Sequence, residues 1–114
     1  MMKIIDPTKN PVIPTPDHID VTSQEVAGEM IGAKSCVVKL GVCGPEGSSI
    51  FHVHPNQEHV FYILEGALTL EDGQKNRFTA HAGEAMFVPA GEEHAAFNLT
   101  GKKIVYLAVT APVA

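Results

Sequence analysis

From residue 35 onward, apolar and polar positions alternate with period two in short runs separated by Gly, Pro or Asp, the signature of half-buried strands. Cys36, Val38, Leu40 and Val42 interleave with Val37, Lys39 and Gly41, predicting a strand that ends in a loop at Gly44-Pro45-Glu46-Gly47. Further strands are predicted over residues 48–54, 59–64, 67–71, 77–81, 85–88, 94–99 and 102–110. Asp72-Gly73 signals a hairpin, and Gly83, Pro89-Ala90-Gly91 and Gly101 punctuate the rest. Residues 21–34 are weakly patterned, with Gly28 and Gly32 set against a helix, so strand is favoured there too. Residues 1–20 carry Pro7, Pro11, Pro14 and Pro16, which cannot donate to a central ladder; they read as an extended arm with one edge strand. No heptads, internal repeats or low-complexity tracts interrupt this pattern. Eight or more short strands predict an all-β sandwich or barrel, with an arm over residues 1–20 and one barrel domain over 21–114.

Composition narrows the function classes. A chain of 114 residues with 45% apolar and 18% charged residues has the make-up of one folded domain. No apolar run approaches the ~20 residues of a membrane-spanning helix, and the start lacks a basic-then-apolar leader, so no membrane role is expected. The net charge of -5, with eight Lys and Arg dispersed among thirteen acids, argues against nucleic acid as a partner. Cys36 and Cys43 are too few for a disulfide framework. Seven residues apart on one strand, they would face opposite sides, so reduced thiols and a cytoplasmic location are expected. The arm, unanchored in sequence, is expected to lie across a neighbour's sheet in a homodimer.

Histidine changes the picture: six occur, three of them inside eight residues. His52 and His54, one residue apart in a β-type run, project from one face. A chain reversing at Pro55 can return His59 beside them, and His94 follows a Pro-x-Gly turn that aims it back at the sheet. Four neutral imidazoles in a barrel mouth suit one divalent transition ion such as Fe, Zn, Cu or Ni, rather than Ca or Mg.

The spacing resembles the cupin family. Gly47, His52-x-His54, His59 and Gly66 are similar to the first cupin motif, with one residue fewer than usual after the first glycine. Gly83, Pro89-x-Gly91, His94 and Asn98 match the second without a gap. The resemblance implies a cupin-type jelly-roll β-barrel holding one metal ion, with Mn joining the ions above. It also departs from the family at one point: most cupins carry a metal-binding glutamate where this chain has His59. Glu58, one residue earlier, points to the opposite face and is the alternative ligand. The expected ligand set is therefore His52, His54, His59 and His94. Imidazole in place of carboxylate raises the site's charge by one unit and strengthens its Lewis acidity.

Around this site, Phe61 and Ile63 share the face of His59, Asn98 shares that of His94, and Tyr106 offers a hydroxyl; these are the expected substrate contacts. Of Met86 and Phe87, which alternate, one is expected in the core and one outside. His18 and His81 lie outside both motifs and are expected at the surface. No nucleophile elbow, dinucleotide fingerprint or Cys-x-x-Cys pair is present. Likeness to the small cupins implies a dioxygenase-like oxidoreductase acting on a small chelating organic substrate. A metal-dependent isomerase or lyase and a non-catalytic small-molecule sensor are the alternatives.

Overall fold

The computed structural model describes residues 1–113. Nine strands form one barrel-like sheet: β1 (Val12–Pro14), β2 (His18–Ala27), β3 (Val37–Ser49), β4 (Glu58–Glu65), β5 (Ala67–Asp72), β6 (Arg77–His81), β7 (Ala85–Val88), β8 (His94–Phe97) and β9 (Ile104–Ala111). Along the sheet the order is β6-β5-β8-β3-β9-β4-β7, with β2 added to β3 and β1 to β2. All pairings are antiparallel, as a jelly roll requires. Short 3-10 turns at Pro7–Lys9 and Glu29–Ile31 are the helical elements among the described residues. No helix is long and apolar enough to cross a membrane.

The alternation along each strand sorts side chains to the two faces. The inward set, Val21, Cys43, Ile63, Leu68, Leu70, Ala80, Val88, Ile104 and Tyr106, forms the buried core, and Phe61, Met86, Ala96 and Ala108 pack against it. Phe87, next to Met86, faces out at 60% exposure. Both cysteines are free, Cys43 being buried.

Two strand boundaries correct the sequence reading. Residues 44–47 do not end a strand: β3 runs through them to Ser49 as a wide bulge, four residues set against Asp20 alone between the Val21–Cys43 and Ile19–Ser48 pairs. Asp20 takes positive φ (54°), and its carboxylate accepts the Glu46 N–H at 3.1 Å. Residues 50–57 then leave the ladder, so His52 and His54 lie on an extended connection rather than a strand, tied to the sheet by one bridge from His52 to His94. The arm's β1 pairs with the chain's own β2, Ile13 opposite Ser23.

Candidate metal centre

Backbone hydrogen bonds join the two histidine-bearing segments. His52 N–H donates to the His94 carbonyl at 3.0 Å, and His94 N–H returns the bond at 3.1 Å. Gly91, at φ 83°, sits in the turn before β8 and donates its N–H to the His54 carbonyl at 3.0 Å. A side chain at that left-handed position would be strained, so glycine lets the turn clamp the His54 segment. His59 comes from β4, directly opposite Thr110 of β9.

These constraints bring four imidazoles together. Ring centroids lie 4.4 Å apart for His52–His94, 4.9 Å for His52–His54 and 4.3 Å for His54–His59; His59–His94 is 6.0 Å. One ring nitrogen from each of His52, His54 and His94 lies within 4.8 Å of the others, a spacing that can hold a metal ion. His59 adjoins this trio through His54.

The hydrogen bonds around the rings set their tautomers. Nδ1 of His52 contacts the Ile50 carbonyl at 2.8 Å, and Nδ1 of His94 contacts the Glu92 carbonyl at 2.9 Å. A carbonyl only accepts, so each Nδ1 carries a proton, which in the neutral ring leaves the lone pair on Nε2. His59 Nδ1 lies 2.9 Å from Thr110 Oγ1. Its Nε2 is buried with no partner, an arrangement that normally costs stability unless a ligand satisfies it. Burial, reinforced by the neighbouring imidazoles, pushes the pKa of His59 down to about 4. Burial likewise lowers His54 and His94. Clustered imidazoles, two anchored through Nδ1 by backbone carbonyls and one by the Thr110 hydroxyl, are the donor set a divalent transition ion takes, so the residues fit one.

Glu58 sits exposed at the start of β4, one residue out of phase with buried His59. The histidines line one side of a cavity of about 420 Å³ whose walls include Phe61, Leu68, Leu70, Ala96 and Ala108. Tyr106 also lines it, its ring lying over Gly41, where any Cβ would collide with the phenol. Burial raises the Tyr106 pKa to about 12, so the phenol keeps its proton.

Two expected substrate contacts are elsewhere. Ile63 is sealed in the core at 0% exposure and is absent from the cavity wall, although Tyr106, opposite it on β9, lines that wall. Asn98 spends its amide on structure: Nδ2 donates to the Gly44 and Lys102 carbonyls at 2.7 and 2.6 Å, and Oδ1 accepts the Thr100 N–H at 2.9 Å. It ties the loop after β8 to the β3 bulge.

His18, expected at the surface, is half-buried beside the cluster. Its ring lies 5.9 Å from that of His52, and it lines the cavity. The cause is long-range: His18 pairs with Ser49, immediately before the His52 segment. Thr110 and Lys39, also on the cavity wall, were missed for the same reason, since only strand register reveals them. His81 is exposed and lies 3.3 Å from Glu84.

Comparison with known proteins agrees with this architecture. Residues 40–110 match the family described as Cupin domain. Among functionally curated proteins, no sequence matches the chain. The solved structure of the polyketide cyclase RemF from Streptomyces resistomycificus is 30% identical, with a TM-score of 0.84 over 100% of this chain and 81% of that one. A sugar phosphate isomerase of the cupin superfamily from Silicibacter pomeroyi is 23% identical, with a TM-score of 0.77 over 96% of this chain and 75% of that one. KdgF from Halomonas sp. is 13% identical, with a TM-score of 0.80 over 98% and 94%. The last two likenesses speak for the fold alone. With the match spanning both histidine motifs and the barrel that carries them, this chain belongs to the cupin family.

Proposed function

We propose that the protein is a metal-dependent enzyme that binds a small chelating, enolisable carbonyl compound and condenses it on itself. The observation that carries this reading is the convergence of four imidazoles, one with a buried unpartnered Nε2, on a largely apolar cavity. When bound, a divalent ion supplies Lewis acidity toward oxygens that chelate it. His52, His54, His59 and His94 are its holders, and being neutral they leave the ion's charge undiminished. Thr110 keeps the His59 ring oriented from behind. Phe61, Leu68 and Ala108 exclude water from the carbon skeleton, favouring a folded chain over a solvated one. Tyr106, protonated at working pH, offers a hydrogen bond to a substrate oxygen. In the condensation a methylene carbon gives up two hydrogens and bonds to a second carbonyl carbon, whose oxygen leaves with them as water. Full-length likeness to a polyketide cyclase supports this choice among metal-dependent chemistries.

An oxygen-dependent oxidoreductase on the same substrate class is the second reading, favoured by the all-nitrogen donor set and the apolar wall. Incubating the metal-loaded protein with a linear poly-β-ketone, in air and anaerobically, separates the two. Condensation predicts ring-closed product in equal yield without oxygen, and loss of product in His59→Ala. Turnover only in air would transfer the case to the oxidoreductase. Retention of metal and ligand with no turnover in either atmosphere would leave a binding protein and end both enzymatic readings.

A further inference from the structure

We propose that this cavity takes a substrate carrying an anionic group on its tail, and that Lys39 receives it. The inference rests on the chelating-substrate reading above and deepens it. Lys39 lies on β3 in the same inward phase as Gly41 and Cys43, paired with Ala108, which in turn pairs with Phe61. It thus occupies the rung next to the one holding Thr110 and His59. Two strand spacings separate it from β4, about 10 Å, and it lines the same cavity as the four histidines.

Among the described residues Lys39 has no ion pair. Glu25, across from it on β2, accepts the Met30 N–H at 3.2 Å and does not come within ion-pair distance of Lys39. Asp17 is the one carboxylate-bearing residue on the cavity wall. A second observation lies on the same wall. The Thr15 hydroxyl is buried without a partner, and Ser23, paired with Gly41 two residues along β3 from Lys39, is buried as well. Lys39 and these hydroxyl residues are polar groups on a cavity wall that also carries Phe61, Leu68, Leu70, Ala96 and Ala108. With a divalent ion on four neutral ligands and Lys39 on the wall, the cavity would carry net positive charge despite the carboxylate of Asp17, and such a field concentrates anions. A carboxylate or phosphate joined by a short aliphatic spacer to the chelating group fits this arrangement.

The probes are 5,7-dioxooctanoate, a 1,3-diketone with a carboxylate tail, and its methyl ester, titrated calorimetrically into the zinc-loaded full chain. The acid should bind about 5- to 10-fold more tightly than the ester, as expected of a charge-assisted contact at a partly exposed lysine. Lys39→Met should erase that preference, leaving ester affinity unchanged. If both probes bind in a zinc-dependent way and equally well, or the preference survives in Lys39→Met, the Lys39 assignment is wrong while the chelating reading stands. If neither binds in a zinc-dependent way, the chelating reading falls and this inference with it.

Discussion

At the scale of single residues, the site depends on what stands behind each imidazole. Thr110→Val keeps the shape of β9 but removes the oxygen 2.9 Å from His59 Nδ1. Loss of such an outer partner typically weakens metal affinity 10- to 100-fold, and chelator competition on the folded variant should show a drop in that range. Wild-type affinity in Thr110→Val would mean that the contact orients nothing. The histidines also set a pH dependence. In the metal-free protein His59 takes a proton only near pH 4, whereas in the unfolded chain it does so near its ordinary value of 6.5. The unfolded state therefore binds more protons between these values, so stability is full above pH 6.5 and falls as pH drops toward 4. His54 and His94, lowered in the same direction, add to the slope. The thermal midpoint of the chelator-treated protein should be lower at pH 5.5 than at pH 7.5; an equal or higher midpoint would contradict the buried, neutral assignment.

At the scale of elements, strand phase was readable from sequence and strand pairing was not. The alternation in residues 77–81 and 85–88 matches β6 and β7 because these strands are bounded by local signals: Asp72-Gly73, Gly83 and Pro89. The segment 44–47 misled because its Gly-Pro content is that of a loop. The chain instead stays in the sheet as a bulge capped by Asp20, more than twenty residues away in sequence. Asn98 misled for a related reason. Its shared phase with His94 suggested a substrate contact, yet both its amide donors are used by the Gly44 and Lys102 carbonyls. Asn98→Ala should therefore act on stability, about 1–3 kcal/mol for carbonyls left without their donor, with metal affinity nearly intact. The readouts are denaturant unfolding and chelator competition. A stable variant with impaired substrate affinity would restore the original reading.

At the scale of the whole molecule, the barrel brings together what the sequence separates. His52 and His54 were recognisable as a pair from their spacing, and His94 from its turn. His18, Lys39 and Thr110 gave no local sign, since each reaches the cavity only through register between strands distant in the chain. One claim supports everything proposed about function: four imidazoles share one ion. X-ray absorption spectroscopy at the metal edge of the zinc- or iron-loaded protein, with elemental analysis of the same sample, tests it most directly. One ion per chain with a shell of four imidazole nitrogens, falling to three in His59→Ala, is the predicted result. A chain that retains no ion after loading, or a shell of three imidazoles and a carboxylate that Glu58→Gln abolishes, would contradict it.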